Sequence, residues 1–440
     1  MKTIVTLIGA GSLLAALAVA QPAPRYSVIE LGPLGGTFSQ AFFVNNNRLV
    51  GGVSTVRDGT QHATFWGLGL KMDIGAPGVN SAAFGINQSG QALIQTETSA
   101  KDPNSENFCG YGTGLQCRAA VWQGGVMTTL ATLGGYNSTV GQINKLGEMA
   151  GIAENSTRDP ECPPGVAFSG TGPQVLDFEA VIWGPAPGQI RELHPLPGDT
   201  VGMALWMNDN GQAVGASGRC GNTNLPPVAF GPHAVLWEKD GSVTDLGNLG
   251  AAVGNLATAI NNRGQVVGIS SLTGQSPPTT GIHAFLWTTQ TGMRDLGALS
   301  GDVDSVGASI NDSGQVVGPS FDKDGNPRAF LWQNGVMSDL NTLIPDSSPL
   351  YLLFAESINS SGEIAGFGAV KSTCMGDPNL CETHAFLATP NNIAAGRQSA
   401  EPAAQGVTSA NGPFVLSEDV RKVLRERLPF GRLGARPTGR

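Results

Sequence analysis

Charged residues are scarce in this chain, because Asp, Glu, Lys and Arg make up only 13% of its 440 residues. A mainly helical protein would carry more Glu, Lys and Leu, whereas the 62 Gly and 28 Pro favour short strands joined by turns. No apolar stretch reaches the roughly 20 residues that a membrane-spanning helix needs. The composition therefore predicts an all-β protein without a transmembrane segment.

Familiar catalytic motifs are also missing. The chain contains no His-Glu-x-x-His, no Gly-x-Ser-x-Gly, no Walker-type phosphate loop and no close Cys pairs of the zinc-finger type. We therefore predict no catalytic residue, no metal site and no cofactor. Whether the protein is an enzyme stays open at this point.

The first twenty residues have the composition of a secretory signal peptide. Lys2 supplies a positive charge, residues 4–17 are apolar and small, and residues 18–20 are Ala-Val-Ala, which fits a signal-peptidase site. We expect residues 1–20 to be removed and the mature protein to be secreted, to the periplasm, the cell surface or the medium.

Six cysteines in an exported chain are expected to form disulfides rather than a metal site. Six cysteines allow fifteen pairings, so the assignment rests on proximity in sequence alone. Proximity favours two pairs that each close one loop and a third pair that joins two repeats: Cys109–Cys117, Cys374–Cys381 and Cys162–Cys220.

Charge is distributed unevenly along the chain, whose formal net charge is −9. Residues 391–440 hold eight Arg or Lys against four acids, so the body before them is strongly acidic. An acidic body argues against nucleic acid as a partner. Residues 389–440 are expected to form a flexible linker and a short amphipathic helix that Ser417 caps. A solvated tail is favoured over one that contacts an acidic surface.

One motif recurs along the whole body, namely Ile-Asn-x-x-Gly followed by a short apolar run and a second Gly. Three copies are strict and four are looser, and their Asn residues lie 42 to 64 residues apart. That spacing suits a four-stranded unit with loops of variable length. The seven residues are Asn45, Asn87, Asn144, Asn208, Asn261, Asn311 and Asn359.

Two further segments accompany this motif in a constant order. One is His-Ala-Phe-Leu-Trp, intact at residues 283–287, and the other is Asp-Leu-Gly, as at residues 245–247 and 295–297. Asn-x-x-Gly, and the Asn-Gly or Asp-Gly that follows some of the tryptophans, form the tight turns of β-hairpins. Each repeat is thus predicted to be a four-stranded antiparallel sheet.

A single four-stranded sheet has two apolar faces, so consecutive sheets must stack, and a ring buries every face. We therefore predict an all-β repeat protein, a seven-bladed β-propeller with four-stranded blades, over residues 21–388. The chain begins with the strand that is last in each unit, residues 26–31, and the repeats end after the third, residues 385–387. The N-terminal strand is then expected to complete the last blade and leave no sheet edge open.

These motifs resemble one known family. His-Ala-Phe at 283–285 and 384–386, with Asp-Leu-Gly and Ile-Asn-x-x-Gly, resembles the HAF-repeat family of bacterial extracellular proteins over about residues 26–388. Several copies depart from the pattern, with Arg118, Glu179 and Arg328 in the His position. The resemblance implies an exported repeat protein and transfers no catalytic residue.

The histidines, aspartates and tryptophans of the repeat are predicted to be structural. Four of the five histidines occupy one repeat position where Arg and Glu also occur, so a local hydrogen bond is favoured over a metal site. The recurring Asp is expected to cap a turn, and the recurring Trp to pack between blades.

The loops between the second and third strands are long and, in this arrangement, share a face with the crossovers between blades. We call this the long-loop face. It holds all six cysteines, and stapled loops on a rigid scaffold often build binding sites, although tolerated insertions explain the same pattern equally well. The candidate ligand-binding residues there are Tyr136, His194, Asp199, Asp302 and Asp304.

Two functions remain in competition. The first is a monomeric binding or surface-interaction module whose partner is a glycan or a cell-envelope component. The alternative is an extracellular carbohydrate-active hydrolase or lyase with an acidic site at the propeller axis, built from Asp199, Asp302 and Asp304 with His194. The alternative requires these side chains to converge, with two carboxylates at the separation of a glycosidase pair.

Overall fold

The computed structural model describes residues 26–67, 69–76, 79–162, 173–220, 233–252, 254–272, 281–391 and 416–427. The predicted signal peptide and most of the predicted linker lie outside these ranges. Within them the chain forms seven antiparallel sheets arranged as a seven-bladed β-propeller, which confirms the predicted fold.

The first strand, β1 (Tyr26–Leu31), belongs to the last blade, and every other blade is built from consecutive strands that run from the axis outwards. Blade 1 consists of β2 (Ser39–Val44), β3 (Val50–Thr55), β4 (Gln61–Gly67) and β5 (Leu70–Asp73). Blade 2 consists of β6 (Ser81–Ile86), β7 (Ala92–Lys101), β8 (Leu115–Gln123) and β9 (Val126–Thr129). Blade 3 consists of β10 (Gly134–Ile143), β11 (Met149–Arg158), β12 (Leu176–Trp183) and β13 (Ile190–Leu193).

The next two blades repeat this order. Blade 4 consists of β14 (Val201–Met207), β15 (Ala213–Gly218), β16 (His233–Trp237) and β17 (Val243–Asp245). Blade 5 consists of β18 (Leu256–Ile260), β19 (Val266–Ser271), β20 (Ile282–Thr288) and β21 (Gly292–Gly297).

Blades 6 and 7 differ slightly, because the innermost strand of blade 6 is split in two and blade 7 borrows β1. Blade 6 consists of β22 (Asp302–Ser305), β23 (Ser309–Ile310), β24 (Val316–Asp322), β25 (Pro327–Gln333) and β26 (Val336–Asp339). Blade 7 consists of β27 (Leu350–Ile358), β28 (Ile364–Val370), β29 (Thr383–Pro390) and β1. One α-helix of the described residues follows, α1 (Glu418–Arg427).

The two ends of the repeat array close the ring as predicted. β1 pairs antiparallel with β29, with Tyr26 opposite Pro390 and Leu31 opposite Ala385. Glu30 Oε1 lies 2.5 Å from His384 Nδ1, which adds an ion pair to the strand contact. The last strand runs two residues past the predicted boundary at residue 388.

The seven asparagines of the Ile-Asn-x-x-Gly motif lie at the inner hairpins and link the blades; we call them the asparagine ring. The Asn261 Oδ1 accepts hydrogen bonds of 3.0 Å from the N–H groups of Arg263 and Gln265, and its Nδ2 donates across the blade boundary to the carbonyl of Asn311. Six such bonds connect successive blades, the last from Asn359 to the carbonyl of Asn45. The motif therefore recurs because the Asn shapes its own turn and, in six of the seven described copies, also bonds to the next blade.

The second Gly of the motif is required by a close backbone contact. The innermost strands carry a β-bulge in six blades, and opposite it the second strand approaches very closely. A Cβ at Gly268 would overlap the carbonyl oxygen of Leu256, and one at Gly366 that of Phe354. Only glycine fits at such an approach.

The repeat tryptophans pack between blades, as predicted. Trp66, Trp183 and Trp237 are buried, and each Nε1 donates to a carbonyl of the preceding crossover. Trp122, Trp287 and Trp332 pack at the equivalent position, the first and last of them half-buried.

Helix α1 lies against the propeller rather than in solvent, which corrects the expected solvated tail. The Ser417 Oγ accepts a hydrogen bond from the N–H of Val420, as an N-cap does. Leu416 and Val420 are buried in a cluster with Phe321 and Phe354. Blades 6 and 7 therefore cover Leu416 and Val420, and the local sequence does not indicate this contact. With ten residues, this helix is too short to cross a membrane, and no other helix of the described chain qualifies.

Candidate functional site

The five predicted ligand-binding residues lie on the long-loop face but are spread over different blades. Tyr136 begins blade 3, His194 and Asp199 lie in the crossover from blade 3 to blade 4, and Asp302 and Asp304 begin blade 6. Across the described ranges no hydrogen bond or ion pair joins any two of the five.

The three predicted carboxylates each bind a different part of the fold. Asp199 Oδ2 accepts a 2.6 Å hydrogen bond from Ser217 Oγ. Asp304 Oδ1 accepts bonds of 2.7 and 2.8 Å from the N–H groups of Gly281 and Ile282. Asp302 Oδ1 accepts a 2.7 Å bond from an Arg328 guanidinium nitrogen. None of these partners is shared among the three carboxylates.

The two remaining predicted residues are open to solvent. The side chain of His194 is 80% exposed and lies 3.1 Å from Glu192. Tyr136 is 39% exposed, and its backbone N–H donates to Glu154. Both remain accessible to a ligand.

The histidine position of the repeat is structural. His62, His233 and His283 lie 2.9 to 3.0 Å from Asp73, Asp245 and Asp295 on the neighbouring outer strand. Each of these aspartates also accepts the N–H of the glycine two residues on. Arg328 and Asp339 make the equivalent pair in blade 6, at 3.0 Å. The predicted turn-capping role of the repeat Asp is therefore confirmed.

The three disulfides join the predicted partners: Cys109–Cys117, Cys162–Cys220 and Cys374–Cys381. The first and third each close one long loop, and the second connects the long loops of blades 3 and 4. These covalent links hold the long-loop face in place at three positions around the ring.

A buried pair of carboxyl groups also holds two of the long loops in place. Glu106 and Glu154 are fully buried, and the amide nitrogen of Asn137 donates to both, at 3.3 and 3.0 Å. Burial, together with the neighbouring Glu106 carboxylate, raises the pKa of Glu154 to about 9. Glu106 accepts bonds from the N–H groups of Val175 and Leu176 in the next long loop, so the pair fixes two loops together.

A pocket of about 270 Å³ lies between blades 6 and 7, at the long-loop face, and α1 forms one wall. We call it the blade 6–7 pocket. Its apolar wall is Leu353 with Leu416. Its polar wall includes Asp302, Asp322, Arg328, Tyr351 and Arg421.

Each of the two guanidinium groups in the wall of the blade 6–7 pocket is paired with carboxylates. Arg328 pairs with Asp302, and Arg421 lies 3.7 Å from Asp322 and 2.8 Å from Glu418. Burial raises the pKa of Asp302 despite this arginine. Two polar atoms of the wall have no hydrogen-bond partner in the described structure, namely Asp302 Oδ2 and Arg421 Nε. Both atoms belong to residues that line the pocket.

Sequence reasoning found one residue of this pocket, Asp302, and missed Arg328, Tyr351 and Arg421. Arg328 carried a signal, because it replaces the repeat histidine and its longer side chain reaches two carboxylates at once. Arg421 carried none, since it belongs to a helix whose docking position depends on contacts distant in sequence.

Comparison with known proteins identifies no close relative. No protein-family model matches the sequence, and no curated protein does. The β-propeller domain of the Trilobed protease from Pyrococcus furiosus is 10% identical, with a TM-score of 0.43 over 78% of this chain and 89% of that one. TolB from Acinetobacter baumannii is 11% identical, with a TM-score of 0.39 over 69% of this chain and 63% of that one. The Pyrococcus horikoshii acylaminoacyl peptidase is 12% identical, with a TM-score of 0.44 over 77% of this chain and 51% of that one. This chain thus spans less than two thirds of TolB and of the peptidase, and the similarities concern the fold alone.

Proposed function

We propose that this chain is an exported binding protein that recognises a neutral, hydroxyl-rich ligand, a glycan, through the blade 6–7 pocket on its long-loop face. The observation that carries the proposal is the pair of unpartnered polar atoms, Asp302 Oδ2 and Arg421 Nε, in the wall of one pocket. A sugar hydroxyl can donate to the first and accept from the second. Buried polar groups are normally satisfied, so an unfilled acceptor and an unfilled donor on two residues of one pocket wall favour a ligand that supplies both.

The ion pairs of the pocket wall support a neutral ligand over an anion or a cation. Each guanidinium in the wall already faces a carboxylate, so a charged ligand would have to displace one of them. The half-buried Tyr351 and the buried Leu353 supply the apolar surface against which the C–H face of a sugar ring packs.

Export is supported by two independent features. Residues 1–20 have signal-peptide composition, and three disulfides are typical of an oxidising compartment. The resemblance to HAF-repeat extracellular proteins agrees with this assignment. We propose that the mature chain acts as a monomer at the cell surface or in the medium.

The test is a binding screen of the mature protein against neutral polysaccharides, with product formation measured separately. Replacement of the arginine by an apolar residue of similar length, Arg421→Met, removes the unpartnered donor and is expected to weaken glycan binding by about tenfold. Lys422→Met removes an exposed cation one residue further along the same helix and should leave binding unchanged. Equal affinities for the two variants would contradict the assignment to this pocket, and release of a shortened sugar would favour the hydrolase alternative.

A further inference from the structure

A cleft of about 580 Å³ lies between the borrowed strand β1 of blade 7 and the outer hairpin of blade 1. We call it the blade 7–1 cleft. Pockets for drug-sized ligands span roughly 300–1,000 Å³, so this cleft has room for a small organic molecule. Ile29 and Leu70 are 51% and 65% exposed, so a ligand can reach their apolar surface. The apolar part of the wall consists of Ile29, Leu31, Val50, Trp66, Leu70 and Leu387.

Direct contacts join the two sides of the cleft. Trp66 Nε1 donates a 3.2 Å hydrogen bond to the carbonyl of Gly32. Lys71 pairs with Trp66 across β4 and β5, and its ammonium donates to the carbonyl of Pro33. Since β1 ends one residue before Gly32, the Lys71 ammonium and the side chain of Ile29 border the same cleft.

Lys71 departs from the repeat pattern. It occupies the position on the outermost strand that lies opposite the repeat tryptophan. Blades 2 to 6 have an apolar residue at this position, whereas blade 1 has an exposed lysine. The fold of the hairpin therefore does not require a cation here. The equivalent residues are Met127, Ile190, Val243, Met293 and Met337.

Ile29 departs from the repeat pattern in the opposite sense. It lies opposite Leu387 on β29. Blade 1 has Met72 at the equivalent position, and blades 2 to 6 have a polar residue. Two unrelated departures thus meet at one cleft, because one adds a cation and the other adds exposed apolar surface. The polar residues of blades 2 to 6 are Thr128, Arg191, Thr244, Arg294 and Ser338.

The cation of Lys71 is available to a ligand. Arg48 and Glu30 also line the cleft, but Arg48 lies 2.8 Å from Glu363 and Glu30 pairs with His384. Lys71 has no oppositely charged partner in the described part of the chain, where its ammonium donates to a backbone carbonyl. An anion can therefore bind the Lys71 ammonium without displacing a carboxylate.

We propose that the blade 7–1 cleft binds a single-chain amphipathic anion, namely a fatty acid. Its carboxylate pairs with the Lys71 ammonium, and its alkyl chain covers Ile29 and Leu70. A small anion without an alkyl chain would leave this apolar surface in water. The inference goes beyond the proposed function, because it concerns another junction of the ring and a ligand that is charged and largely apolar.

The test measures the binding of decanoate, decanol and hexanoate to the full mature chain by calorimetry at neutral pH. Decanoate is expected to bind about tenfold or more tightly than decanol, because the alcohol lacks the charge that pairs with the ammonium. Hexanoate lacks four CH₂ groups and should bind at least about tenfold more weakly than decanoate.

Three variants locate the site. Lys71→Met introduces the residue that blades 2, 5 and 6 carry at this position, and it should abolish the preference for decanoate over decanol. Lys239→Met removes an exposed lysine from the corresponding hairpin of blade 4 and should keep the preference. Ile29→Ser introduces the residue of blade 6 and should weaken the binding of decanoate and decanol alike, by about threefold or more.

Each result supports or overturns the proposal. Equal affinities for decanoate and decanol overturn it, as does an unchanged preference in Lys71→Met. Hexanoate that binds as tightly as decanoate also overturns it, because the apolar wall then contributes nothing. If Lys71→Met does not fold, the comparison of the three ligands on the unmodified protein decides. Arg421→Met should leave decanoate binding unchanged, so the two proposals can fail separately.

Discussion

At the scale of single residues, many acidic side chains of this protein serve its architecture. The repeat aspartates cap turns, and Asp199 and Asp304 hold loops. Such carboxylates are poor candidates for catalysis, since each is already engaged by donors that keep it in place. Burial instead raises the pKa of a few other carboxyls, Glu154 and Glu179 among them, each to about 9.

The free energy of unfolding should depend on pH in part through the ionisation of Glu154. Its pKa of about 9 in the folded protein lies above the ordinary value of 4.5, so the folded state keeps a proton that the unfolded state loses between these limits. The free energy of unfolding should therefore fall as pH rises from about 4.5 to about 9. Glu154→Gln keeps the shape without the proton and should flatten this decline, as thermal melts between pH 5 and pH 9 can measure.

A matched control for Glu154 exists on the same face. Glu161→Gln alters a carboxylate whose side chain is 40% exposed, and it should leave the pH profile of the melting temperature as it is in the parent protein. Identical slopes for Glu154→Gln and the parent protein would show that the buried carboxyl ionises without cost.

The asparagine ring gives a second residue-scale prediction. Asn261→Ala removes two turn bonds, one bond to the Gln265 side chain and one bond to the next blade, and we expect it to cost about 2–3 kcal/mol in the free energy of unfolding. Asn261→Asp keeps the accepting oxygen and loses the donor, so its cost should be smaller. Chemical denaturation measures both, and Asn248→Ala, which removes one bond in an exposed turn, is the control. A cost for Asn261→Ala no larger than that of the control would mean that the ring does not stabilise the fold.

At the scale of elements, the sequence was most informative where a local rule repeats. The Asn-x-x-Gly turns, the strand order and the borrowed strand β1 follow from patterns that each blade displays by itself. In the sequence, the β-bulges are indicated only by the glycines at the close backbone approaches. The docking of α1 has no sequence signal. Both features depend on contacts between strands or blades, and local sequence patterns do not predict such contacts. For the same reason only Asp302 of the blade 6–7 pocket was predicted, while its partner Arg328 was taken for a departure from the repeat.

The disulfides offer a prediction at this scale. Cys162–Cys220 spans 58 residues and joins two blades, whereas Cys109–Cys117 spans eight within one loop. Cross-links that close longer loops restrict the unfolded chain more, so replacing the first pair by serines should cost about 4 kcal/mol and replacing the second about 2.5 kcal/mol. Denaturant titration of the two double variants under identical conditions gives the comparison. The reverse order would indicate that local packing around Cys109, rather than chain entropy, sets the contribution.

At the scale of the whole molecule, the closure of the ring joins the two ends of the repeat array. β1 pairs with β29, Asn359 bonds to the carbonyl of Asn45, and His384 pairs with Glu30. All three contacts connect residues more than 300 positions apart in the chain. Contacts this distant in sequence carry a large cost of loop closure, which the ordered blades between them reduce, so they stabilise the ring as a unit.

Removal of β1 should therefore destabilise every blade together. A mature chain that starts at residue 32 loses six antiparallel residue pairs and the buried ring of Tyr26, and it leaves β29 as an open edge. We expect a loss of at least about 5 kcal/mol in the free energy of unfolding, in a single transition at a lower melting temperature. A chain that ends at residue 427 loses a comparable number of residues outside the ring and should melt like the parent protein. A synthetic peptide of residues 26–31 should restore part of the loss, because the vacant edge of β29 accepts a strand from any chain that carries the sequence. If the shortened protein instead melts at the parental temperature, blade 7 is stable with three strands, and the ring is held by contacts between blades alone.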